Sequence, residues 1–197
     1  MTYDFSVVTA PTEYPVSLAE AKAHLRTGND EDDLISSLIA TAVDVCESGA
    51  HRAFVTQALS MVFASWPKSG EFTLLRPPLV SVDFIKYFKA NGTLVTVDSG
   101  TYQVETTCAP GKIILAYNKT WPADELRPGY PISVQYVAGY GDAADVPARY
   151  KQAIKLLVGH WYENREATLV SQTSGSSSAA ELPLAVRSLL TIKRGKW

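Results

Sequence analysis

The chain is poor in the side chains that carry metal and thiol chemistry, with 2 cysteines and 3 histidines among 197 residues. Cys46 and Cys108 stand far apart in sequence, so they form neither a disulfide framework nor a paired zinc motif. A reducing compartment is the simpler setting. His24, His51 and His160 make no His-Glu-x-x-His pattern, and each reads as a packing or surface residue. No serine sits in a G-x-S-x-G elbow, and Gly111-Lys112 lacks both the upstream glycine and the following hydroxyl of a phosphate loop. The sequence therefore offers no catalytic residue, no metal ligand set and no cofactor site, and we expect a protein that is not an enzyme.

Long apolar runs are missing as well. Nothing approaches the ~20 residues of a membrane-spanning helix, and the opening MTYDFSVVTAPTEYPVSLAEAK has no basic start leading into an apolar stretch. We expect a soluble protein made in a cytoplasm, with no membrane partner. On that expectation the acceptor patterns Asn91-Gly92-Thr93 and Asn118-Lys119-Thr120 are coincidental. Charge of one sign is also lacking: 18 Lys and Arg face 20 Asp and Glu, a formal net charge of −2. No overall basic field draws the molecule onto nucleic acid.

What is present is periodicity. Ser17-Leu18-Ala19-Glu20 spells a capping box, which predicts a short helix from Leu18 to about Arg26, ended by Gly28. The acidic run Asp30 to Asp33 lacks the alternating ligands and distal glutamate of a calcium loop. It reads as the start of a second helix, where carboxylates suit the N-terminal dipole. Leu34, Ile35, Leu38, Ile39, Ala42, Val43 and Cys46 form the buried stripe of that helix over Asp30 to Ala50, and Gly49 is expected to stop it. From Pro147 to Ala167, Tyr150, Ala153, Ile154, Leu157, Val158 and Trp161 repeat the pattern in a longer helix.

Between these helices the period changes to that of strands, at 54–66, 72–75, 80–88, 94–97, 102–105, 112–117 and 132–137. Pro77-Pro78, Asn91-Gly92, Pro110-Gly111 and Pro128-Gly129 punctuate them, and Asn91-Gly92 suits a type I′ turn. The fold class is α+β, a helical scaffold with an inserted and largely antiparallel β section. The expected divisions are 1–53 for the N-terminal helices, 54–145 for the β insertion, 146–168 for the long helix, and 169–197 for a linker and a C-terminal docking helix. The polar stretch 171–180 reads as a flexible connector, and Pro183 as the start of the last helix.

One motif points toward ligand chemistry. Gly139-Tyr140-Gly141-Asp142-Ala143-Ala144 fits the dinucleotide fingerprint, but Asp142 and Asp145 place negative charge where phosphate would sit, and an antiparallel strand precedes it. A glycine-relieved turn is the better reading, with a small nucleotide-binding enzyme as the alternative. Trp161 and Tyr162, with Glu163, Arg165 and Glu166 around them, suit a helix end that meets a neighbouring subunit. Loops carrying Trp66 and Trp121 are further candidates for contact with a neighbouring subunit or another partner.

In order along the chain, Pro15 to Leu25, Asp30 to Ile35, Arg52, Pro77-Pro78-Leu79-Val80-Ser81-Val82, Ala138 to Gly141, Val146-Pro147, Trp161 to Glu166 and Leu182-Pro183 resemble the head-tail connector family of tailed bacteriophages and phage-like gene transfer agents. These proteins are also called adaptor or head-completion proteins, and the likeness is to the longer version with a β section. The resemblance implies a homo-oligomeric ring of about twelve copies beneath the portal protein. That ring would lie in the virion neck after assembly in the bacterial cytoplasm, passing DNA without reading its sequence and meeting a stopper or tail component. It also implies portal docking by the C-terminal segment, where Leu189, Leu190, Ile192 and Trp197 supply apolar contacts and Lys193, Arg194 and Lys196 supply charge. A stopper or tail-completion protein of the same particle is the alternative within this class.

Overall fold

In the computed structural model, which describes residues 2–28, 30–164 and 183–191, four α-helices and eight strands follow one another. By contact the chain divides into a β unit of Met1–Thr12 and His51–Gly141, and a helical unit of Glu13–Ala50 with the chain from Asp142 onward.

The helical unit begins as its caps dictate. The Ser17 side chain accepts from the Glu20 N–H at 3.2 Å while the Glu20 carboxylate accepts from the Ser17 N–H at 2.9 Å, starting α1 (Leu18–Leu25). Arg26, in the left-handed region at φ 56, closes that helix two residues before Gly28, the expected stop. Helix α2 (Asp32–Ala50) runs through Gly49, and its chain turns instead at His51, φ 52. Ile35, Ile39, Ala42, Val43 and Cys46 are buried along it, whereas Leu34 stays exposed at the rim of the stripe. Helix α3 (Ala148–Glu163) buries Tyr150, Ala153, Ile154, Leu157 and Val158, and packs on α1, α2 and the short α4 (Leu184–Leu190). Each such aliphatic side chain taken from water contributes roughly 1.5–3 kcal/mol, so the two long stripes dominate this unit's stability.

The β unit holds a five-stranded sheet in the order β1 (Tyr3–Thr9), β2 (Gln57–Phe63), β8 (Ile132–Ala138), β4 (Leu79–Phe88), β5 (Leu94–Thr96). A smaller sheet has the order β3 (Glu71–Thr73), β7 (Lys112–Leu115), β6 (Tyr102–Glu105). Every pairing is antiparallel. Alternate residues from both sheets meet in one core: Leu59, Met61 and Phe63 of β2, Ile132, Val134 and Tyr136 of β8, Ile85 and Tyr87 of β4, Phe72 of β3 and Ile113 of β7. The buried Tyr136 hydroxyl is satisfied by the Leu75 carbonyl at 2.9 Å.

Two expectations need correction here. Strand β1 falls inside 1–53, where only helices were expected; it joins the β unit because its residues pair with Phe63 back to Ala58, far along the chain, a tertiary contact that local pattern does not announce. The Asn91-Gly92 turn is not type I′. Only Gly92 has positive φ, at 84, while its N–H bonds the Lys89 carbonyl at 2.8 Å and the Asn91 side chain accepts from Thr93 at 3.0 Å. That is a type I turn followed by a glycine bulge, with the Asn91 side chain taking an amide that a two-residue loop would leave to the ladder.

Candidate functional site

Of the residues singled out for portal docking, Leu189 and Leu190 lie among the described residues, on helix α4 of the helical unit. Helix α4 starts at Pro183, whose lack of an N–H costs nothing at a helix N-terminus, and ends where the Thr191 N–H bonds the Arg187 carbonyl at 3.1 Å. Val186 and Leu190 are buried, Leu189 is half-buried, and Leu184 is 83% exposed. Leu190 is thus spent on its own unit and is no longer available to a partner's pocket in this arrangement. Ile192, Lys193, Arg194, Lys196 and Trp197 lie outside the described residues, as do Arg165 and Glu166.

Beside α4 runs an open groove of about 300 Å³ lined by His24, Leu156, Gly159, His160, Glu163, Pro183, Ala185 and Val186. At Gly159 a Cβ would stand 3.6 Å from Nε2 of His24, an ordinary contact that the groove has room for. Trp161 and Tyr162 sit half-buried at the last turn of α3, and Glu163 is exposed. The Tyr162 hydroxyl donates to the Glu31 carboxylate and lies 3.3 Å from Oγ1 of Thr27, so this side chain ties α3 to the segment between α1 and α2. Its polar end serves the subunit's own fold. Lys22 adds a second tie, 2.6 Å from Asp32.

In the β unit, Trp66 and Trp121 come together. Their rings stack 5.2 Å apart at 5°, with Phe72 edge-on to Trp121 at 5.1 Å and Tyr87 edge-on to Trp66 at 5.4 Å. Both indole N–H groups are buried and meet no acceptor among the described residues. The loop that carries Trp121 is pinned by Asp124, which accepts from the Tyr87 hydroxyl and pairs with Lys89 at 2.9 Å. Burial, together with that bond to Asp124, pushes the Tyr87 phenol up to about 12, while the same two partners hold the Asp124 carboxyl below its ordinary value.

The fingerprint segment has a packing role. Gly139 stands at φ 138, and a Cβ on it would meet Cα and N of Thr56 at 2.6 Å, so glycine is there to let two backbones touch. The Tyr140 N–H bonds the Phe54 carbonyl at 2.8 Å. The next amides are taken by carboxylates, Asp142 N–H by Asp145 at 3.1 Å and Ala143 N–H by Glu13 at 2.7 Å. A phosphate would find those donors occupied and three acids nearby. Among the described residues no three His, Cys, Asp or Glu side chains are grouped to hold a metal, and no helix is long and apolar enough to cross a membrane. Burial pushes the Cys46 thiol up to about 12, which suppresses the thiolate; Cys108 is exposed.

Sequence reasoning passed over two surfaces. Tyr117 projects 97% exposed from a turn closed by the Lys119 N–H on the Ala116 carbonyl at 3.1 Å. Along β1, Tyr3, Val7 and Val8 are each about half exposed, at 49%, 52% and 49%. The alternation of Tyr3, Phe5 and Val7 with Asp4 and Ser6 is a strand signal, blurred by the extra residue where the register shifts between Val7 and Thr9.

Residues 16–194 match the model of a family described as head completion protein. Among solved structures, the chain is similar to one in the neck of an empty GTA particle computed with C6 symmetry, with TM-score 0.73 and 22% identity over 95% of this chain and 93% of that one. It is similar to a chain in the virion of a native gene transfer agent (GTA) particle, with TM-score 0.72 and 23% identity over 94% and 92%. A third similarity is to the neck of a native GTA particle computed with C12 symmetry, with TM-score 0.72 and 21% identity over 95% and 92%. No curated protein matches the chain. At these identities the structural likeness establishes a shared fold along nearly the whole chain.

Proposed function

Because the chain belongs to the head completion protein family, we propose that it is a structural subunit of the neck of a tailed phage or phage-like particle, where it extends the DNA channel and joins the filled head to the tail. The observation that carries this reading is the family match over residues 16–194, which takes in both the helical and the β unit. The likeness in fold to chains from GTA necks computed with C6 and C12 symmetry supports a closed ring of copies around the channel. A formal net charge of −2 suits a conduit, since a strongly basic lumen would hold DNA through many phosphate contacts.

In this reading about twelve copies stack beneath the portal. The portal is met by the C-terminal segment, with Lys193, Arg194 and Lys196 pairing with acidic portal residues and Leu189, Ile192 and Trp197 filling apolar pockets. Trp161, Glu163, Arg165 and Glu166 remain candidates for contact with a neighbouring copy. Because Val186 and Leu190 belong to the helical core, the docking test changes charge and spares α4. The triple variant Lys193→Glu, Arg194→Glu, Lys196→Glu is expected to fold and to lose capture by purified portal; undiminished capture would remove these residues from the interface. Electron microscopy of particles assembled without this protein tests the role itself. Full heads that lack tails and leak DNA are expected, tails of wrong length would favour a tail-completion protein, and normal tailed particles would sink the proposal.

A further inference from the structure

The free edge of β1 carries a specific chemical feature. Thr2 accepts from the Ala64 N–H at 3.3 Å, in the register that pairs Tyr3 with Phe63, so residues 2, 4 and 6 turn their amides toward β2. Tyr3, Phe5 and Val7 therefore turn theirs outward, to the open side of the sheet. One of those outward groups is closed: the Phe5 N–H donates to Oδ1 of Asp4, the residue before it, at 2.8 Å. The side chains of the same three residues stand opposite Phe63, Met61 and Leu59, all buried, and extend that core row to the rim, with Tyr3 49% and Val7 52% exposed. This strand end has an apolar row ready for a neighbour and a carboxylate across its central donor.

We propose that the outer edge of β1 is where a second copy of this chain adds its own sheet edge, and that Asp4 keeps the edge shut in the free subunit. The inference rests on the ring reading above. A sheet edge offers a row of unpaired donors and acceptors, the strongest generic invitation to another strand, and a charge placed on it is a known protection. The occupant follows from the far edge of the same sheet. There β5 pairs with Lys86, Tyr87 and Phe88 of β4, the Val97 N–H bonds the Ile85 carbonyl at 2.8 Å, and the sheet ends, so Leu94 and Thr96 turn their backbone groups to the open side. Joining the β1 edge of one copy to the β5 edge of the next is a head-to-tail contact that repeats until it closes. Pairing β1 with β1 is two-fold and stops at a dimer. The Asp4 carboxylate must leave the Phe5 N–H before a strand can take its place, so free subunits stay apart until something positions them side by side.

The test measures mass against concentration by light scattering on the full-length chain. Asp4→Ala is expected to lower the concentration at which species larger than dimers appear by about tenfold, the worth of one hydrogen bond that no longer has to be broken. Asp4→Asn, which keeps an acceptor oxygen, should shift it less. Adding Val7→Pro removes an outward N–H without touching the ladder to β2 and should cancel the gain; should it not fold, Val7→Lys takes its place. An Asp4→Ala curve that overlays wild type, growth that ends at a dimer, or association that survives Val7→Pro would each overturn the proposal. Particles separate this from the underlying role: Val7→Pro protein found in intact neck rings defeats the edge contact alone, whereas wild-type protein absent from the neck defeats the connector reading itself.

Discussion

Replacing Gly139 by alanine puts a number on the difference between a glycine kept for packing and one kept for a ligand. At φ 138 an alanine pays the conformational cost of a positive φ, roughly 1–2 kcal/mol. Its Cβ would also lie 2.6 Å from Cα and N of Thr56 and 2.7 Å from the Val55 carbonyl carbon. All three are backbone atoms, so the chain itself must shift, at about 1–3 kcal/mol more. The expected loss is about 3 kcal/mol. Gly92→Ala is the control, because Gly92 also has positive φ, at 84, but nothing within 4 Å of the added Cβ, and should lose only about 1–2 kcal/mol. Urea titration followed by fluorescence of Trp66 and Trp121, in the same unit as both glycines, reads the difference. Equal losses for the two variants would refute the close-approach argument. A nucleotide site would behave otherwise: Gly139→Ala would barely change the melt, and wild type would gain about 2.7 kcal/mol at a hundredfold excess of ligand over its dissociation constant.

Three further expectations concern stability. Ser17→Ala should cost the helical unit about 1 kcal/mol at neutral pH by removing the cap of α1, seen in the far-ultraviolet circular dichroism melt. The Ser17 N–H, then the Lys155 ammonium, hold Glu20 below the ordinary glutamate value, so the charged form is favoured by folding. That contribution is complete above the ordinary glutamate range and fades as pH falls through the lowered value, and Glu20→Gln should erase this pH dependence; a wild-type profile as flat as the variant's would argue against it. Trp121→Ala should cost about 3 kcal/mol and remove the near-ultraviolet signal of the stacked Trp66 pair, whereas a loss below about 1 kcal/mol would mean the stack is not part of the fold's support.

The helices were legible because burial follows their period directly. Tyr150, Ala153, Ile154, Leu157 and Val158 are all buried as their spacing demanded, and the Ser17–Glu20 box closes on both sides. Their ends were less so: Arg26 and His51 adopt left-handed conformations that their side chains do not advertise, while Gly28 and Gly49 do not end a helix. All seven expected strands are present, but β1 was not anticipated, since an edge strand buries too little to impose a clear alternation. The order β1-β2-β8-β4-β5 could not be read either, because it depends on which strands share a core rather than on which follow one another. Assembly surfaces were hardest of all. Trp66 and Trp121, marked as loop contacts, prove to hold each other, and local sequence carries only half of any interface.

The place of β8 has a consequence for how the chain is made. It lies between β2 and β4 and is the last strand to leave the ribosome, after about 130 residues of nascent polypeptide. Until then β2 and β4 lack the strand that bridges them, and their apolar rows wait uncovered. A premature stop ahead of Ile132 would release a chain with its largest sheet unjoined and without α3, the helix on which α2 packs, a substrate for chaperones or proteases rather than for a virion.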